Sequence, residues 1–264
     1  GVLHGKTLVQ VASGEKHSLA LCTDGTVAAW GDNRYGQLGD KTKTQRLVPV
    51  AVSTDNRTSA LAGKFVIAIA AGGNHSLALC SDGTVAAWGN SFYDQLGSNA
   101  IIGFGNNEPV RVENRPSSLD RQSALVGKTV TAIAAGRDHS LALCSDGSVA
   151  AWGANFEGQV GVGDYWTQRL PVAVNQLSRT SALYGKSVVA IAAGGSHSLA
   201  LCRDGTVAAW GNSDYGQLGN YTYGWSSSMP IKTDAEYERS ALRGRSPVAI
   251  AAGSLHSLAL CSDG

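Results

Sequence analysis

Ile69-Ala70-Ala71-Gly72-Gly73-Asn74-His75-Ser76-Leu77-Ala78-Leu79-Cys80-Ser81-Asp82-Gly83-Thr84-Val85-Ala86-Ala87-Trp88-Gly89 decides the fold, because the chain repeats this stretch along its length. Its core returns around His17, His139, His197 and His256, with successive histidine spacings of 58, 64, 58 and 59 residues. Four copies run on through Trp-Gly to Gln-Leu-Gly or Gln-Val-Gly, and the fifth ends at Asp263-Gly264. A period near sixty residues marks stacked supersecondary units, each burying its faces against its neighbours. The copies divide the chain into approximate units 1–58, 59–122, 123–180, 181–239 and a partial 240–264.

Within the second copy, residues 65–71 form an apolar run that suits a strand buried on both faces. Gly72-Gly73-Asn74 makes a turn. Residues 75–81 alternate, with Leu77 and Leu79 on one face and Ser76, Ala78 and Cys80 on the other. Asp82-Gly83 is a hairpin signal, because glycine supplies the positive φ of a tight turn. Residues 84–88 return as a third strand. After a longer loop, residues 108–112 read as a fourth, whose Pro109 fits an outer edge. The expected unit is a four-stranded antiparallel sheet, A to D, with small-residue strand A at a crowded axis. Radially arranged sheets of this kind make an all-β propeller of four full blades plus the first hairpin of a fifth. A β-solenoid is the alternative, though its coils are usually much shorter.

The chain resembles the regulator of chromosome condensation repeat family. The resemblance rests on Gly72-Gly73-Asn74-His75-Ser76-Leu77-Ala78-Leu79, Asp82-Gly83, Trp88-Gly89 and Gln95-Leu96-Gly97 with their counterparts, and covers nearly the whole chain. It implies a seven-bladed propeller, so the blade count here departs from the family. If an open arc bares on the order of 500 Å² of apolar surface on each end blade, each end costs roughly 12 kcal/mol. The expectation is a fragment of a longer ring, or an arc completed by another chain, with an open strand edge at the half-blade.

Composition narrows the function. The formal charge is +1 and 16% of residues are charged, with no basic stripe, so no nucleic-acid partner is expected. No apolar run is long enough to span a bilayer, so no membrane insertion is expected, and no signal peptide is recognisable. Cys22, Cys80, Cys144, Cys202 and Cys261 share one repeat position, too far apart for disulfides, and read as small buried hydrophobes. The five histidines invite a metal reading, but a ring of equivalent positions is too wide for one ion. The alternative is a turn-closing imidazole bonded to a backbone group beside it. His-Ser is no catalytic pair, since successive strand residues point to opposite sides. Trp30, Trp88, Trp152 and Trp210 end strand C at a fixed register and read as inter-blade core. No catalytic residue, metal site or cofactor is expected.

The strand directions put the A–B turns and C–D loops on one face and the B–C turns and D–A connections on the other. The second face is monotonous: Asp-Gly turns, and Ser-Ala-Leu-x-Gly-Lys before strand A. The first varies between copies, which makes Lys16, Arg34, Tyr35, Phe92, Tyr93, Arg137, Asp138, Phe156, Trp166, Tyr215 and Trp225 its candidate partner-binding residues, being of types enriched at hot spots or set beside them. Ile101-Ile102-Gly103-Phe104, Tyr165 and Tyr221-Thr222-Tyr223-Gly224 lie farther out on the same loops. Drift in unconstrained loops, with aromatics tucked under them as packing, is the competing explanation. The expectation is a non-enzymatic scaffold for an unknown protein partner. The alternative is a regulator of another enzyme: an exchange factor for a small GTPase, or an inhibitor. The resemblance allows both, since family members include such an exchange factor that docks on chromatin, a plant ultraviolet-B photoreceptor and β-lactamase inhibitors. The photoreceptor's Gly-Trp-Arg-His-Thr signature is absent, and near-neutral charge argues against chromatin. Near-identical copies suggest recent amplification in a bacterial surface or secreted protein.

Overall fold

Each copy folds into the same antiparallel sheet because each spells the same alternation. The structure is a computed structural model and describes residues 1–99, 104–115, 122–221, 224–234 and 240–264. The first sheet is β1 (Leu8–Ser13), β2 (His17–Cys22), β3 (Val27–Gly31) and β4 (Arg46–Ala51). The second is β5 (Val66–Ala71), β6 (His75–Cys80), β7 (Val85–Asn90) and β8 (Gly105–Arg111). The third is β9 (Val130–Ala135), β10 (His139–Cys144), β11 (Val149–Gly153) and β12 (Gln168–Ala173). The fourth is β13 (Val188–Ala193), β14 (His197–Cys202), β15 (Val207–Gly211) and β16 (Ser227–Lys232). β17 (Pro247–Ala252) and β18 (Ser257–Cys261) form a final two-stranded sheet. In every sheet the strands pair in chain order. Among the described residues there is no helix, and so none long and apolar enough to cross a membrane.

The first strands of successive sheets neighbour one another, β1 to β5 to β9 to β13 to β17, and so line the hub. Pro109 lies in β8, the outermost strand, where no inner ladder donor is missed. Its carbonyl instead accepts the Ala60 N–H from the connection before β5, at 2.9 Å. Alternation then builds the junctions. Leu19 and Leu21 point forward and share one core with Ala78, Cys80 and Trp88 of the next blade. Leu77 and Leu79 point forward in turn and meet Ala142, Cys144 and Trp152. All five cysteines are buried free thiols.

Two expectations need correction. Strand A is not buried on both faces: in β5, Val66 and Ile69 are buried but Ile67 is 48% exposed. Small alanines between them leave the hub partly accessible. Trp30 is not core like Trp88, Trp152 and Trp210, which are fully buried. It is half-buried because no blade precedes the first among the described residues. Large exposed apolar side chains gather on the two end sheets, with Val9, Val11, Leu47 and Val48 on the first and Val248, Leu258 and Leu260 on the last.

Candidate protein-interaction face

The histidines resolve into a repeated inter-blade staple. His17 Nε2 lies 2.9 Å from Ser76 Oγ on the next blade, and His75–Ser140, His139–Ser198 and His197–Ser257 repeat the bond at the same length. The Ser76 hydroxyl donates to the Gln37 carbonyl at 2.8 Å, so its lone pair faces the imidazole and His17 Nε2 is the donor. The same carbonyl accepts the Trp88 indole N–H at 2.9 Å. Trp152 and Trp210 do likewise with the Gln95 and Gln159 carbonyls. The expected bond to a neighbouring backbone group is therefore wrong: the imidazole reaches across the junction to a serine. Burial depresses the imidazoles from 6.5 to about 4 at His17 and about 3 at His75 and His139, so all three are neutral at pH 7. A glycine precedes each histidine for a steric reason. At Gly72 an added Cβ would fall 2.3 Å from the His75 ring and 2.4 Å from the Gly136 carbonyl of the next blade.

The uniform face is built from a second device that sequence reading missed. The Ser-Ala-Leu-x-Gly-Lys lysine reaches the aspartate of the Asp-Gly turn 18 residues on, as Lys6–Asp24, Lys64–Asp82, Lys128–Asp146 and Lys186–Asp204, with Arg245–Asp263 at 3.4 Å in the fifth copy. The Lys186 hydrogen bond, helped by the Thr206 N–H, lowers the Asp204 carboxyl to about 2. The constant spacing of two opposite charges was the available signal.

The other face is not uniform. Its A–B turns are laced by backbone bonds from Gly73 N–H to the Arg137 carbonyl at 3.0 Å and from Gly195 N–H to the Ser254 carbonyl at 3.0 Å. They frame a shallow mouth at the hub of about 270 Å³, over which the Arg137 guanidinium pairs with Glu15 at 3.1 Å. On the first blade, exposed Lys16 and Arg34 flank a depression of about 460 Å³ with Asp32 and Gln45. Across the second and third blades the structure gathers Phe92, Tyr93 and Phe156 with Phe104, which the sequence reading had set farther out on the loop. Phe92 stacks on Phe104 with centroids 5.2 Å apart, while Tyr93 meets Phe92 and Phe156 edge-on at 4.8 and 5.3 Å. Asp138 is half-buried and accepts from Gln95 Nε2 at 3.1 Å, and burial raises its carboxyl above the usual range. Trp166 and Trp225 are each 78% exposed and stand apart from the cluster, as do Tyr35 and Tyr215; among the described residues none of these four makes a ring contact. Ile101, Ile102, Gly103, Thr222 and Tyr223 lie outside the described residues.

Radial four-stranded sheets with this repeated signature match a known profile, that of the RCC1-like domain, over residues 2–264. The chain belongs to the RCC1-like domain family. It is 33% identical over 261 residues to the human probable E3 ubiquitin-protein ligase HERC6, covering 98% of this chain and 23% of that protein. Human WBSCR16 superposes with a TM-score of 0.79 at 26% identity, over 97% of this chain and 58% of that one. Prp20p of Saccharomyces cerevisiae, whose structure was described with its binding properties to Gsp1p and histones, superposes at 0.78 with 23% identity, over 97% and 56%. This RCC1-like chain thus spans about a quarter of HERC6 and under three-fifths of the two propeller structures.

Proposed function

We propose that this RCC1-like domain is a non-enzymatic platform that binds a protein partner through the face carrying its A–B turns and C–D loops. The observation that carries the reading is the difference between the two faces. One repeats a Lys–Asp clasp from copy to copy. The other presents a different exposed set on each blade, including an aromatic cluster and two isolated tryptophans. A repeat protein that needs only stability has no use for that asymmetry, whereas exposed Trp, Tyr and Arg are the residue types that anchor interfaces. The occurrence of the domain within a larger ligase relative, and the partners named for Prp20p, support a binding role.

A second reading, regulation of a small GTPase by nucleotide exchange, draws support from the Prp20p likeness alone. One experiment addresses both. A photo-cross-linking residue is placed at Trp166 or Phe156, and for comparison at Ser145 on the clasp face, and the chain is offered purified small GTPases, histones and ubiquitin-pathway proteins. Cross-links confined to the loop face are expected; equal yield from Ser145 would overturn the platform reading. Accelerated nucleotide release from any cross-linked GTPase would select the exchange-factor reading.

A further inference from the structure

The lysine–aspartate clasp recurs in every copy although it does little for stability. Lys6–Asp24, Lys64–Asp82, Lys128–Asp146 and Lys186–Asp204 repeat it, and Arg245–Asp263 keeps it with the other strongly basic residue. The Lys128 and Asp146 side chains are 38% and 45% exposed, and ion pairs so open to water stabilise a fold only slightly. What the clasped aspartates share is the residue that follows them: Gly25, Gly83, Gly147, Gly205 and Gly264.

An aspartate followed by glycine is chemically vulnerable. The glycine amide nitrogen attacks the aspartate Cγ, a C–N bond forms, the nitrogen loses its proton, and a carboxyl oxygen departs as water. The product is a succinimide ring. Water then opens the ring, and opening at the former main-chain carbonyl leaves a β-linked isoaspartate. No oxidant or other co-reactant enters. Glycine favours the step because no side chain hinders the approach of its nitrogen. The step needs a nitrogen free to approach, a carboxyl free to rotate, and a carboxyl in its neutral form, since a carboxylate oxygen leaves poorly.

The third blade denies all of these. The Gly147 N–H donates to the Cys144 carbonyl at 2.9 Å and closes the turn. Asp146 Oδ1 accepts the Ser148 N–H at 3.0 Å and the Ser148 hydroxyl at 2.6 Å, while Oδ2 accepts Lys128 Nζ. Cγ cannot swing toward the Gly147 nitrogen without giving up these bonds. The Lys128 hydrogen bond, followed by those of Ser148, holds the carboxyl well below the usual range. Each pH unit of lowering removes the neutral acid about tenfold. The Thr26, Thr84 and Thr206 N–H groups hold Asp24, Asp82 and Asp204 in the same way, at 3.0 to 3.1 Å. The turn joins β10 and β11, which are buried throughout. An isoaspartate there would lengthen the main chain by one carbon and disturb the register between them.

We propose that the Asp-Gly turns are latent isoaspartate sites, and that the basic residue of each clasp is what keeps them unmodified.

The test ages the purified 264-residue chain for weeks in warm neutral buffer. Isoaspartate is then measured by methyl transfer from S-adenosylmethionine with an isoaspartyl methyltransferase, and located by electron-transfer fragmentation of proteolytic peptides. Lys128→Ala should raise isoaspartate at Asp146 about tenfold or more. Asp24, Asp82 and Asp204 should stay at the wild-type level, and the melting temperature should hardly move. Lys128→Arg, the pairing that the fifth copy uses, should restore the wild-type rate. A lysine with a merely structural role would instead speed modification at every turn as the chain loosened, and would lower the melting temperature. Equal ageing of Asp146 in the wild type and in Lys128→Ala, faster ageing at all the turns alike, or no rescue by Lys128→Arg would overturn the proposal.

Discussion

Trp88 fills a junction core and ties it with one hydrogen bond. Its indole is fully buried, and its N–H reaches the Gln37 carbonyl of the preceding blade. Trp88→Ala is expected to cost about 3–5 kcal/mol in a urea titration followed by circular dichroism, as large core truncations do. Trp30 has the same local sequence but a half-open setting, so Trp30→Ala should cost less than about 1.5 kcal/mol. Equal losses would mean that the burial difference does not govern stability. The register that buries these tryptophans was legible in the sequence, because strand C always ends there. The exception at Trp30 was not, since it depends on which blades flank it among the described residues, not on the residue itself. Asp94 was equally silent: it stands where the other copies have Gly36, Gly158 and Gly216, and only the structure shows that it keeps their left-handed backbone, with φ of 61°.

At the scale of the element, the strands, the Asp-Gly hairpins and the small-residue hub strand could be read directly, because period-two alternation fixes which side chains share a face. The staple could not. Histidine and serine are adjacent in every copy, yet each bonds a partner 59 to 65 residues away, and identical copies hide which one. Its consequence is a pH dependence. The folded imidazoles titrate near 3 to 4 and the unfolded ones near 6.5. Between those values the unfolded chain binds more protons, so stability is complete above about pH 6.5 and falls as the pH drops toward 4. Melting temperatures across pH 4 to 7 should show this slope, and Ser140→Ala should cost about 1–3 kcal/mol by stranding the His75 N–H. A flat profile would contradict neutral buried imidazoles. The Lys–Asp clasps are exposed, and Lys128→Ala should leave the melting temperature nearly unchanged, the more so in high salt.

Across the whole molecule, the partition between a constant and a variable face was already visible in the sequence. Phe104's part in the aromatic cluster and the cluster's placement at a single junction were not, because they depend on how two loops from different blades converge. The end sheets follow a different logic. Leu8 and Val11 at one end and Leu258 and Leu260 at the other stand at positions that the second blade buries, as Val66 and Ile69 and as Leu77 and Leu79. The 264-residue chain on its own should therefore associate at micromolar concentration. Sedimentation velocity should find more monomer after Val11→Lys with Leu258→Lys, and an unchanged distribution would show that these ends are not adhesive.

One thiol sits at the same depth in every module, and burial raises those of Cys80, Cys144 and Cys202, the last to about 11. The molecule therefore carries a clock on each blade. Alkylating reagents can reach a thiol only while its sheet is open, so the order in which mass spectrometry finds them modified records the order in which blades loosen. Cys261, on the two-stranded terminal sheet, should be tagged first and the three interior cysteines last.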